Sequence, residues 1–585
     1  MKVLKNRWPD TSVAESVKFF AQAMYGFLDV ESHEGFRAYC LDTLGRIREA
    51  ISLAVDIKSG KVNRAALDVV LAEVVWSATT DNAARSCAGE TLDLLVSMCA
   101  NKSCNIDDFI HLSRKCERLL ADGYHEEIKN WVVRSIDVEN SKISLLQSVG
   151  FLVSHLLTEG YSRHFLIDRV EERFFKHEVM RASARMVSSF IDGIARERRD
   201  YVVLVRAPSA TVNILSLVGG WSLRTVASLP SHARTEVTNW GLAQDGLVIA
   251  EKVSAVDPYQ AAMAVENRLS EIEALLMFGP HPTKLEWPGR AYVFTPRSTS
   301  GVQLENAGST LYTLGNTEVH GRRLKILVAL PKAISKHLDA SSAERVQNAI
   351  STASVFSKTH VEEAKLISLW SAFEVLLGDP AEGPRISHYS KYVPPMVCYR
   401  YHRRLFSAVY DQLYVEYKKK FTKIMREMNT EEANQHTKFA KLIMLPDYEA
   451  QRASLISMCS DNPLARHRLF RLQKYWGSPS MFGKTMIDHF NRVSWQLQRI
   501  YRERNNLVHS GRSPVYLESI ILNTFEYMQS SITAIVRRSK DTGVGNVDQI
   551  IAELGFEWTL MVKRMSGFGA EASFDEALVE RIFSP

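Results

Sequence analysis

Through most of the chain apolar residues recur at intervals of three and four, as in LDTLGRIREAISLAV (41–55) and AALDVVLAEVVWSA (65–78). That period is the mark of a helix with one buried face. Polar breaks such as IKSGKVN (57–63) and CANKSCN (99–105) separate the segments, so residues 1–195 predict an all-helical N-terminal region. No fixed repeat length emerges that would make it a solenoid. Its position ahead of the rest suggests a sensor or regulatory part, and its residues do not specify a role.

Near residue 200 the pattern changes. YVVLV (201–205), LVIAEKVSAV (247–256), AYVFT (291–295) and LKILVAL (324–330) are apolar, β-branched or aromatic runs of the length expected for strands. Between them, Asp257 followed by Pro258 is an N-cap and first-turn pair for a helix through AAMAVENRLSEIEALLMF (261–278). Residues 196–335 therefore predict a small α+β domain.

Beyond Pro331 the helical period returns, in SAERVQNAISTASVF (342–356), VEEAKLISLWSAFEVLLG (361–378), YRYHRRLFSAVYDQLYVEYKKKF (399–421), KTMIDHFNRVSWQLQRIYRERNNLVH (484–509) and SPVYLESIILNTFEYMQSSITAIVRR (513–538). Gly378, Pro380 and Pro384 end the second of these, and Gly511 and Pro514 divide the last two. Residues 336–585 predict a helical bundle with a basic insertion at about 385–480. The expected fold class is mainly α, with a central α+β domain and a C-terminal helical bundle.

Composition bounds the function more loosely. At 585 residues the chain exceeds one hydrophobic core. Its most apolar window, ISLLQSVGFLVSHLL (143–157), is interrupted by Gln147 and His155 and is too short to span a bilayer. Trp8, Pro9 and Asp10 precede any apolar stretch, against a secretory signal. A soluble cytoplasmic protein is expected, with no membrane partner. Seven cysteines without framework spacing suit reduced thiols. Cys99, Cys104, His111 and Cys116 lie close in sequence but match no common zinc spacing, so no metal and no cofactor is expected. The net charge of +6 is uneven: residues 401–512 hold 20 Lys+Arg against 10 Asp+Glu, +10, leaving −4 for the remainder. Such a segment attracts polyanions, or forms a solvated helix face.

The residue types with chemical potential sit in the bundle. Phe490, Val493, Leu497 and Ile500 form an apolar stripe whose next step is Arg504, a charge where the pattern asks for Leu or Ile. A guanidinium there needs an anion. In the 361–378 segment Glu374 falls beside the stripe of Leu366, Trp370, Phe373 and Leu377, and the two charges are costly apart and tolerable together. His509 follows five residues after Arg504, a rotation of roughly 140° on an ideal helix. The two share a cleft only if the helix ends between them, as SGRSP (510–514) allows, or if they meet copies of themselves across a dimer axis. A histidine at a helix end is also an ordinary C-terminal capping residue.

Arg504-Asn505-Asn506-Leu507-Val508-His509 is the only Arg-x4-His in the chain. It resembles the motif of the HEPN family, an arginine followed by a polar residue and then, within six positions, a histidine, late in a helical bundle and before a final long helix. The LISLWSAFEVLLG segment (366–378) looks like the first core helix of the HEPN subgroup of ApeA-like antiphage proteins, in which an aromatic residue and a glutamate are common. The resemblance covers about residues 340–540. VSAVDPYQAAMAVENRLSEIEALL (253–276) and LLTEGYSRHFLIDRVEERFF (156–175) more faintly resemble upstream regions of large HEPN defence proteins, and the basic insertion departs from a minimal HEPN domain.

The resemblance implies a metal-independent endoribonuclease that cleaves RNA by attack of the 2′-hydroxyl on the adjacent phosphorus, acting as an antiphage abortive-infection effector or toxin. It implies His509 as general acid or base, Arg504 as the cation on the developing phosphorane charge, Asn505 as a positioning residue and Glu374 as support. Arg499, Arg502 and Arg512 are the expected RNA contacts. It also implies a homodimer that pairs two motifs, with RNA, tRNA among the candidates, as substrate and a phage-derived trigger. Two other readings stay open: a non-catalytic HEPN-like module that binds nucleotide or RNA, and a scaffold in which Arg504, Glu374 and His509 form a buried polar network.

Overall fold

The computed structural model describes Trp8 and residues 11–100, 105–137, 141–176, 182–194, 197–278, 283–287, 289–305, 322–359, 361–380, 382–569 and 571–583, with backbone alone over 322–328. The fold is mainly helical with one five-stranded antiparallel sheet. No described helix is long and apolar enough to cross a membrane.

From Ser12 to Asp192 the described elements are helices and short helical turns, and their apolar stripes meet in one core around Phe20, Ile47, Trp131 and Leu152. Cys99 and Cys116 are buried in that core, which accounts for their burial without a metal; Cys104 lies outside the described residues.

The sheet runs in the order β2-β3-β1-β4-β5, with β1 at Arg199–Val205, β2 at Leu223–Thr225, β3 at Leu247–Ala255, β4 at Arg290–Phe294 and β5 at Val302–Glu305. Along β1 the side chains alternate between two cores. Tyr201, Val203 and Val205 join the helices Ser209–Val218 and Pro258–Met277 on one face, while Leu204 joins Val237 and Trp240 on the other. Covered on both faces, the central strand reads as a continuous apolar run. Asp257 caps its helix as expected, its carboxylate accepting from the Gln260 N–H. The same carboxylate accepts from the Ser162 N–H at 2.7 Å and so ties the sheet region to the N-terminal helices.

The strand expected over 324–330 is helical instead, inside Arg322–His337. Five of its seven residues, Leu324, Lys325, Leu327, Ala329 and Leu330, are good helix formers, and a short apolar run does not separate strand from buried helix. Further along this helix Ile334 is buried in the bundle core, as is Leu338 just beyond it, so the segment opens the bundle rather than closing the sheet. The strands β2 and β5, three and four residues long, gave no period to detect.

The bundle core gathers Leu366, Trp370 and Phe373 from the helix Glu362–Leu377, Val493, Leu497 and Ile500 from Pro479–Ser510, and Ile521 and Ile535 from Leu517–Thr542. Arg385–Cys398, the first helix of the expected insertion, buries Tyr389, Val393 and Val397 in this same core. The helices that follow it have a core of their own around Phe406, Phe439 and Trp476, completed by Phe574, Val579 and Phe583 from the C-terminal segment.

Much of the positive charge of residues 401–512 is answered by carboxylates from elsewhere in the chain. Arg404 pairs with Glu34, Arg466 with Glu15, and Lys441 with both Glu576 and Glu580. Arg499 and Arg502 pair with residues of the N-terminal region. The charge asymmetry is thus in good part a record of packing between segments. Lys418, Lys419 and Lys420 stay exposed.

Candidate functional site

The motif lies at the end of the 32-residue helix Pro479–Ser510. The helix does not break between Arg504 and His509: it continues to Ser510 and stops at Gly511, whose φ of 63° is the left-handed cap conformation and whose N–H returns to the Leu507 carbonyl at 3.0 Å. Five residues of unbroken helix turn the two side chains roughly 140° apart. One chain therefore does not bring Arg504 and His509 to one face.

Arg504 faces inward, as its place on the stripe predicts, with its side chain 20% exposed. Its Nη2 donates to Glu374 Oε1 at 3.4 Å and its Nη1 to Asn505 Oδ1 at 3.1 Å. Nε is buried and finds no acceptor among the described residues. For a guanidinium this is thin satisfaction. Glu374 is held from its own helix by Trp370, whose indole N–H donates to the same Oε1 at 3.0 Å. Trp370 is in turn fixed between the rings of Tyr389 at 5.1 Å and Tyr501 at 5.5 Å. Burial, with the Glu374 charge next, pushes the Tyr389 phenol up to about 12, so it stays a neutral part of this wall.

Pattern reasoning missed a second cation. Arg385, near the start of the helix Arg385–Cys398, brings Nη1 to 4.0 Å from Glu374 Oε1 while its Nη2 pairs with Asp379 at 2.9 Å. Its side chain is 53% exposed. Arg385 and Arg504 thus flank one carboxylate oxygen. The only signal in the sequence was its position just after Pro384, at a helix start where an arginine has no dipole reason to be.

His509 is exposed and in the last turn, where a cation suits the helix dipole. Val508 beside it is 46% exposed and Val515 across the turn 66% exposed. Arg512 is exposed as well.

The expected RNA contact at Arg499 is overturned. Arg499 is fully buried, its Nε and Nη2 reaching Glu49 at 3.0 and 2.7 Å, and Nη2 reaching Glu73 at 2.5 Å. Arg46 joins from Glu73's other side at 2.9 Å. Arg502 pairs with Glu49 and is only 15% exposed. Burial disfavours the Glu49 carboxylate, but the Arg499 and Arg502 charges outweigh it and hold its pKa well below the usual carboxylate range. These two arginines fasten the motif helix to the N-terminal helices Thr43–Lys58 and Ala65–Thr80.

Comparisons with protein-family models, with curated proteins and with solved structures return no match for this chain.

Proposed function

We propose that the chain is an endoribonuclease of the HEPN type, in which Arg504 and His509 act on a phosphodiester through the neighbouring 2′-hydroxyl. The observation that carries this is Arg504 itself. It is a nearly buried cation in the motif position, held by one long bond to Glu374 and one to a neutral amide, with a further donor unspent. Such a group exchanges a weak internal anion for a phosphate oxygen at little cost. Arg385, on the other side of Glu374, is the second phosphate contact of this reading, with Arg512 at the rim.

His509 faces away from its own Arg504, so the reading requires a second copy of the chain to complete the site, giving two imidazoles for proton acceptor and proton donor. The exposed Val508 and Val515 beside it supply apolar area for that contact. The N-terminal helices and the sheet region would then be the sensing parts, with a phage-derived trigger and cellular RNA, tRNA included, as the target of an abortive response.

One observation favours the runner-up, a non-catalytic RNA-binding or nucleotide-binding module: no described side chain orients the His509 imidazole. Purified protein with RNA and matched DNA separates the two. The nuclease reading predicts RNA cleavage that proceeds in EDTA and leaves DNA intact, since DNA lacks the attacking hydroxyl; the module predicts binding without cleavage. Loss of toxicity when His509 is replaced in overexpressing cells is the companion test for an enzyme that needs a trigger.

A further inference from the structure

A solvent-open cavity of about 300 Å³ lies where the N-terminal helices Ser12–Leu28 and Lys142–Thr158 meet the insertion helix Pro463–Trp476. Phe27, Phe36 and Leu464 form much of its apolar wall, and His467, Arg468 and Arg471 line the rest. No carboxylate lines it. The three basic residues share one helix face because they lie three and four positions apart. Gly26 admits them: a Cβ there would stand 3.3 Å from Arg468 Nη2.

Each basic group is held in place by contacts that leave its charge unneutralised in the cavity wall. Arg468 lies over the Phe36 ring at 4.0 Å and donates from Nη1 to the Gln412 amide oxygen at 2.7 Å. Gln412 passes the contact on to Glu416 at 3.1 Å. Arg471 sits over Tyr475. His467 is buried, and its Nε2 has no hydrogen-bond partner among the described residues. Burial, then Arg471 and the neighbouring Lys142, Arg468 and Lys474, hold the imidazole down at about 4, so it is neutral and can donate from one nitrogen. Burial also draws Arg468 down to about 10, still cationic at neutral pH.

We propose that this cavity is an anion site for a phosphate group, with Arg468 and Arg471 as charged donors and His467 Nε2 as a neutral one. A buried cationic wall without a lining carboxylate matches a compact, doubly charged oxyanion. The Phe27 and Phe36 wall can take the body of a phosphate ester. The site is separate from the Arg504 cleft and independent of the nuclease reading, and it joins the N-terminal helices to the insertion.

Calorimetric titration of the full-length protein at constant ionic strength tests this, with inorganic phosphate in one arm and adenosine monophosphate in the other. The expected result is saturable one-to-one binding of at least one probe, weakened about 10-fold or more by Arg471→Gln and partly restored by Arg471→Lys. Similar affinities identify a site for free phosphate, and tighter binding of the nucleotide identifies an ester site. Arg471 is half-buried, and far-UV circular dichroism verifies that its variants fold. Saturable binding of neither probe overturns the proposal, as does equal binding by wild type and Arg471→Gln. Binding that survives Arg471→Gln but is lost in Arg504→Lys also overturns it, because the phosphate then sits in the cleft.

Discussion

Arg499 and Arg504 stand five residues apart on one helix and have opposite fates. Arg499 is wholly buried against two carboxylates from the N-terminal region, at 2.7 and 2.5 Å. Arg504 keeps a fifth of its side chain exposed and reaches a single carboxylate at 3.4 Å. A guanidinium saturated by two close carboxylates is a fastener, because removing any member strands the others. One held at arm's length by a carboxylate and an amide is a cation in waiting. Residue type and helix position do not distinguish them; the number and closeness of the anions do.

The comparison breaks most visibly at the fastener. Arg499→Ala leaves Glu49 and Glu73 buried without it and is expected to cost about 3–5 kcal/mol of stability, read by chemical denaturation. If it costs under 1 kcal/mol, the cluster is not what joins the regions. Next comes His509→Ala, which touches no packing and is expected to lower RNA cleavage about 10²-fold or more with an unchanged melting temperature. Arg504→Lys is expected to lower cleavage about 10-fold, because an ammonium cannot present the planar fork, while folding persists. A fall in stability parallel to the fall in activity would reassign Arg504 to structure.

A smaller effect separates the clusters by pH. The folded Glu49 carboxyl titrates below its ordinary range. Its contribution is therefore fully present above the unfolded value of about 4.3 and lost as pH falls through the lowered folded value. Wild type should lose more stability between pH 5 and pH 3 than Glu49→Gln does (pH range on the order of the shift expected for a paired carboxylate). Equal losses would mean that the guanidiniums do not hold this carboxyl.

How much of this was legible beforehand follows from the same contrast. The stripes of Val493, Leu497 and Ile500 and of Leu366, Trp370 and Phe373 were readable as buried faces, and they are buried. The Asp257 cap and three strands were readable from local signals, since capping and β-branched runs act over a few residues. The Arg504–Glu374 pair was readable because two misplaced charges on facing stripes call for each other. The fate of Arg499 was not, because Glu49 and Glu73 lie more than 400 positions away and no local pattern records which distant segment will dock. The same blindness made the charge of residues 401–512 look like a surface for polyanions, when Glu15, Glu34, Glu576 and Glu580 take part of it up. Residues 324–330 went the other way, with too few positions to tell helix from strand.

The central claim is that Arg504 and His509 cleave RNA through its own 2′-hydroxyl. The most direct measurement maps the ends left on an RNA by purified wild type and His509→Ala. The account predicts 2′,3′-cyclic phosphate ends from the wild type and their loss from the variant, whereas undiminished cleavage by His509→Ala, or cleavage of the matched DNA, would contradict it.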